Sequence, residues 1–144
     1  AEFYRYAADR IRRNHSTNEK MVHGDATEFL RFWCEDNVAD VLHLYFSDPW
    51  PKTRHHKRRV IQDATLETFH RVLKPGGILH VVTDHEVLWE WCCEHFARNT
   101  HLFTMSPFSS SPSAGEGELV GTNFERKYRT EGRPFHATTL KRVT

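Results

Sequence analysis

Only three cysteines occur in the 144 residues, and none of them stands in a CxxC spacing. Cys34 is isolated, and adjacent Cys92 and Cys93 are poorly placed to bridge each other. An odd set of this kind argues against a disulfide framework and an ordinary zinc site, and for a reducing, cytoplasmic compartment. No stretch approaches the roughly 18 apolar residues of a membrane helix, and no signal peptide is expected. The seven glycines (Gly24, Gly76, Gly77, Gly115, Gly117, Gly121 and Gly132) form no GxGxxG-like loop. There is no internal repeat, and the net charge of +1 excludes a global bias toward polyanions. The chain also lacks an initiating Met, so it is expected to be a piece of a longer protein.

What is present suits a soluble domain: 27% of residues are charged and 38% hydrophobic, in a length that buries a core without staples. Phe3, Tyr4, Ala7, Ala8 and Ile11 recur at helical spacing and predict an amphipathic helix over 2–14. "KMVH" reads as a short strand, and "GDATEFLRFW" turns into a helix with Asp25 and Glu28 in the pattern of a capping box. "VADVLHLYFS" suits a strand covered on both faces. A helix over 58–73 should stop at "LKPGG"; "ILHVVTD" is the next strand, and Asp84 opens a helix to about Arg98. "HLFTMSPF" and "RPFHATTLKR" read as strands around a loop, 109–121, that is expected to be mobile. "TNFERKYRTEG" between them is a short helix capped by Thr122, with Glu125 at its third position. The alternation predicts an α/β fold with a mostly parallel sheet.

Ligands of such sheets bind beyond the carboxyl ends of the strands, where Asp25, Asp48 and Asp84 fall. "DPWP" after Asp48 is ordinary turn chemistry, but it is also a rigid rim carrying a carboxylate and an indole on which a base can pack. From Lys52 to Arg59 the chain carries five Lys or Arg and two His. Such a run is commonly a solvated face. At a helix start it opposes the helix dipole, a conflict that a bound polyanion resolves. His55 and His56 lack further ligands at metal spacing, and Cys92 with His95 lies on an apolar helix face, so no metal site is expected. The two capping boxes serve structure or function equally well on local pattern.

"FSDPWPKTRHHKRR", "LKPGGILHVVTD" and "TNFERKYRTEGRP" together resemble the bacterial tRNA (guanine-N7-)-methyltransferases, and the likeness runs from about Met21 to Arg142. The resemblance implies a class I, Rossmann-like fold, S-adenosylmethionine as cofactor, and N7 of guanosine 46 in the tRNA variable loop as the methylated atom. It places Asp25 and Ala26 near the cofactor's adenine, and Asp48 between cofactor and guanine as the catalytic candidate. Lys52, Asp84, Thr122, Asn123, Phe124 and Glu125 match substrate-contacting positions. Arg54, His55, His56, Lys57, Arg58 and Arg59 match the RNA-binding stretch. Trp50 stands where relatives that need a second subunit usually carry His, so tRNA is expected as partner and no obligatory protein partner is.

Family members begin with a strand, a Gly-rich loop and a second strand ending in Glu. None of these is found in this sequence, and the chain is expected to be the C-terminal two-thirds of a single, N-terminally truncated methyltransferase domain. Two other readings stay open at this stage. One is an exocyclic-amine nucleic-acid methyltransferase, whose Asp/Asn-Pro-Pro-aromatic loop resembles "DPW"; the other is a non-catalytic RNA-binding module.

Overall fold

Hydrophobic spacing and capping chemistry account for most of the elements of the computed structural model, which describes residues 2–110, 112 and 114–144. The chain divides into two compact units, one ending at Trp33 and the other covering Cys34–Thr144.

In the first unit, helix α1 spans Glu2–Arg13 and α2 spans Ala26–Trp33. Asp9 pairs with Arg12 and Arg13 along α1. The Asp25 carboxylate caps α2, its Oδ1 accepting from the Thr27 and Glu28 amides at 2.8 and 3.0 Å. Those amides are among the four that a helix start leaves without internal partners. The expected strand at Lys20–His23 is absent: these residues are irregular. A strand needs a hydrogen-bonded neighbour, and this unit contains none among the described residues.

The second unit is built on a four-stranded sheet. Strand β1 is Ala39–Tyr45, followed by a 3-10 helix at Thr53–Arg58 and helix α3 at Asp63–Val72. Then come β2 (Leu73–Thr83), α4 (Glu86–Arg98), β3 (Phe103–Pro107), α5 (Asn123–Thr130) and β4 (His136–Arg142). The strand order is β1-β2-β4-β3. β1 and β2 are parallel, while β4 runs antiparallel to both β2 and β3. The expectation of a mostly parallel sheet is therefore corrected for this chain: one of the three pairings is parallel. The closing strand joins β3 by way of the loop and α5, not by a crossover helix of the βαβ kind, and this frees it to reverse.

Three boundaries also differ from expectation. The helix predicted over 58–73 begins at Asp63, because the basic run winds into its own 3-10 turn and residues 59–62 are non-helical. "LKPGG" does not end in a loop but enters β2 as a bulge: Ala39 pairs with Leu73, and Val41 already pairs with Ile78. Gly76 sits at φ +76°, the left-handed region that a bulge glycine supplies. The N-cap of α4 is His85, whose ring accepts from the Leu88 amide, and not Asp84.

The core gathers on β2. Leu73, Leu79, Val81 and Val82 of that strand are buried with Leu66, Phe69 and Val72 of α3 and Leu88, Cys92 and Phe96 of α4. Burial pushes the Cys92 thiol up to about 12, as suits a packed core cysteine. Two polar ties lock α4 to the start of α3. The Trp91 indole N–H donates to the Ile61 carbonyl at 2.8 Å, and the buried His95 ring meets Asp63 at 2.7 Å.

Candidate active site

The parallel register brings the carboxyl ends of β1 and β2 to one edge of the sheet. Tyr45 lies opposite Val82, and the Phe46 amide donates to the Val82 carbonyl at 2.8 Å. Asp48 follows β1 at this edge and Asp84 follows β2. Because β4 starts opposite Thr83, Arg133 and Phe135 enter from the same side.

Phe46 is the hub. It stands at φ +54°, unusual for an aromatic residue, and its ring lies 6.0–6.4 Å from those of Phe124, Tyr128 and Phe135. Separations of this size are normal for interacting aromatic rings. The "FSDPW" segment is thereby joined to the "TNFE" helix, motifs nearly eighty positions apart. Nothing in local pattern marks Phe46 as more than the end of a strand.

Asp84 is paired with Arg133 at 2.7 Å, and the Arg133 guanidinium lies 4.0 Å from the centre of the Tyr128 ring. Asp48 is exposed and forms no ion pair among the described residues. Two left-handed residues flank it, Phe46 at φ +54° and Trp50 at φ +42°. Bulky residues held there cost about 1–3 kcal/mol each, and such strain concentrates at ligand sites.

The basic run divides into three behaviours. Lys52, Arg54 and Lys57 are exposed and make no ion pair among the described residues, leaving an unneutralised positive strip. Arg58 stacks over the Trp50 indole at 4.9 Å, with His55 edge-on to that indole at 5.7 Å. His56 is half-buried against Trp91. The dipole conflict expected for these residues does not arise, since α3 begins with Asp63 and the cations close a separate turn. Their significance lies in being unpaired.

Two of the residues expected to make contacts are buried. Arg59, expected on the RNA, is only 2% exposed; its Nε donates to the Pro49 carbonyl at 2.9 Å and it lies 5.0 Å from the Trp91 ring. Glu125, expected on the substrate, is fully buried. Its carboxylate accepts the amides of Leu119, Val120 and Gly121 at 2.6–3.0 Å and is paired with Arg129 at 2.6 Å. Burial alone would push this carboxyl up, but the three amides and Arg129 outweigh it and bring it down to about 2. Thr122 does cap α5, its hydroxyl accepting from the Glu125 amide, while Asn123 and Phe124 are exposed. Of the expected mobile loop, positions 111 and 113 lie outside the described residues.

In the first unit, the Thr27 hydroxyl and the Glu28 and Thr27 amides all bind the same oxygen of Asp25 and hold its carboxyl below the usual range. Beside it lies an open concavity of about 350 Å³, lined by Val22, Gly24, Asp25, Phe29 and Trp33 among others. Ala26, the first residue of α2, lines a smaller concavity of about 120 Å³ with Val22, Gly24, Asp25 and Phe29. No cluster of potential metal ligands occurs among the described residues, and no helix among them is long and apolar enough to cross a membrane.

Comparison with known proteins bears on the family and the fold. A family model described as "Putative methyltransferase" matches residues 1–138. A relative from Corynebacterium glutamicum, named tRNA (guanine-N(7)-)-methyltransferase, is 49% identical over 111 residues, 76% of this chain and 43% of its own length. Relatives of the same name from Corynebacterium diphtheriae and Treponema pallidum are 40% and 38% identical, over 77% and 83% of this chain and 43% and 45% of theirs. The chain thus spans about half the length of the curated relatives it matches. In fold it resembles the tRNA (m1A58) methyltransferase TrmI of Aquifex aeolicus, with a TM-score of 0.57, 12% identity, and coverage of 99% of this chain and 50% of that one. It also resembles the [4+2]-cyclase SpnF, with a TM-score of 0.54, 16% identity, and coverage of 98% and 62%. A shared fold carries no reaction, as the second likeness illustrates. It does show the architecture, which is α/β and Rossmann-like. The chain belongs to the methyltransferase family whose model it matches over 138 of its residues.

Proposed function

We propose that this chain carries the base- and tRNA-recognising part of an S-adenosylmethionine-dependent tRNA (guanine-N7-)-methyltransferase acting on guanosine 46. The observation that carries the reading is the Asp48 turn. It presents an unpaired carboxylate at the carboxyl edge of parallel strands, held between two strained aromatic residues and followed at once by unpaired cations. The activity for which the relatives are named supports the substrate class. The three free cysteines support a cytoplasmic site of action, and Trp50 supports an enzyme without an obligatory second subunit.

Asp25 and Ala26 fit the nucleoside end of the cofactor. One Asp25 oxygen takes all three local hydrogen bonds, so the other can accept from a ribose or adenine donor. The larger adjoining concavity is of small-molecule size. When bound, S-adenosylmethionine supplies an electrophilic methyl group. Guanine N7 carries an in-plane lone pair and loses no proton, so the chain need not furnish a general base. Its task is to orient the purine and to stabilise the positive charge that the ring acquires. Asp48 supplies the opposing negative charge, and Asp84, fixed by Arg133, contacts the base edge together with Thr122, Asn123 and Phe124. Lys52, Arg54, His55, His56, Lys57 and Arg58 hold the RNA backbone.

The test is labelled methyl transfer to tRNA by this chain joined to the upstream half of the Corynebacterium glutamicum relative, with the product base identified. Label at guanine N7 is expected, and Asp48→Ala lowers kcat by roughly 10²-fold, the scale of losing one transition-state stabilising group. Label on an exocyclic amine, or equal rates with and without Asp48, would overturn the reading.

A further inference from the structure

Arg59 is the one cation of the basic run that points inward, and no carboxylate pairs with it among the described residues. Burial pushes its pKa down. Burying a charge without an ionic partner costs stability, and an apolar side chain of similar volume would fill the space without that cost. What a guanidinium adds is a rigid plane of donors.

We propose that Arg59 is a positioning residue: its guanidinium fixes the Pro49–Trp50 backbone and so sets the direction in which Asp48 and the Trp50 indole are presented. The Pro49 carbonyl belongs to the peptide plane before the Trp50 Cα, and the Trp50 carbonyl to the plane after it. Arg59 Nε donates to the first at 2.9 Å, and Nη2 reaches the second at 3.5 Å, a weaker contact. Together they bracket the two torsions of the residue standing at φ +42°. Strained backbone persists only where its surroundings determine it from several sides.

The anchor behind the guanidinium is firm. Its Cζ lies over the Trp91 ring, 5.0 Å from the ring centre, and that indole is tied to Ile61. The Arg59 backbone is held as well, its amide donating to the His56 carbonyl and its carbonyl accepting from Gln62 Nε2 at 3.1 Å. A line of contacts therefore runs from α4 through Trp91 and Arg59 to the Asp48 turn. The effect on rate rests on the methyl-transfer reading; the geometry does not.

Two measurements test the proposal. In the unmutated protein, the Arg59 Nε–H exchanges slowly by NMR, unlike those of Arg54 and Arg58; fast exchange of Arg59 would overturn the anchoring. With 5-fluorotryptophan in place, Arg59→Lys keeps the charge and removes the donor fork. The fluorine signals of Trp50 and Trp91 shift while those of Trp33 and Trp89 stay. In the chimeric enzyme kcat falls about 100-fold, the scale of an ångström-level misplacement, with tRNA affinity unchanged. An unmoved Trp50 signal in folded Arg59→Lys would overturn the inference. So would a loss of tRNA affinity with a shallower salt dependence, which marks a phosphate contact. If the parent methylates no guanine, the functional reading fails, and the Trp50 signal still decides the role of Arg59.

Discussion

Replacing Glu125 by Gln should uncouple the stability of this chain from acid in a defined window. The buried carboxylate holds three consecutive amides, Leu119 to Gly121, together with Arg129. Its pKa lies at about 2 in the fold, against an ordinary value of 4.5. A carboxyl depressed in the folded state contributes stability that is present above the unfolded value and is lost as pH falls through the folded one. Here the window runs from about 4.5 down to about 2, and the difference corresponds to roughly 3 kcal/mol. Glutamine keeps the shape but has one acceptor oxygen for three amides and no charge for Arg129. The assay is urea unfolding of both proteins from pH 6 to pH 2.5, with hydrogen exchange of the three amides at pH 6. The parent should start roughly 3 kcal/mol more stable and converge on the variant as pH falls. The three amides should exchange faster in Glu125→Gln. Parallel stability curves, or unchanged exchange at Leu119, Val120 and Gly121, would refute the reasoning. Asp9, Asp25, Asp63 and Glu118, also depressed, titrate in both proteins and largely cancel.

The remaining predictions concern the basic strip and the bulge. Arg54→Gln and Lys57→Gln, made separately, should each weaken tRNA binding and lower the slope of log affinity against log salt by about 1, measured by filter binding; an unchanged slope would remove that residue from the RNA interface. Gly77→Ala should destabilise by about 1–3 kcal/mol, the usual scale of overpacking. Its added Cβ would stand 2.9 Å from the Lys74 carbonyl oxygen and 3.1 Å from that of Asp40, both of them backbone atoms with little room to yield. A thermal melt reads the change, and a Tm within a degree of the parent would show that the bulge is looser than the structure has it.

Local physics was legible in the sequence where it acts over a few residues. Apolar spacing located α1, α2, β1, α4 and the buried half of β2, and Thr122 was found as the cap of α5. What escaped depends on partners that helical or strand periodicity does not specify. Lys20–His23 has the residues of a strand but no neighbouring strand to bond among the described residues. Arg59 is one basic residue among five in composition, and only the folded positions of Pro49 and Trp91 distinguish it. Glu125 has the spacing of a capping box, yet its carboxylate reaches back to the preceding loop, a reach that helical periodicity does not encode. The motifs that meet at the sheet edge were visible separately; the Phe46 cluster that joins them was not.

The position of β4 has a consequence for how the chain acquires its shape. It lies between β2 and β3, yet it follows both in sequence. Until His136–Arg142 has been synthesised, β2 presents a bare hydrogen-bonding edge on that side and β3 has no strand to pair with among those described. Such an edge is an invitation to the wrong neighbour. The sheet therefore completes only when its last strand pairs with β2 on one side and β3 on the other. Stalled synthesis short of His136 should leave a sticky, half-built product rather than a smaller native one.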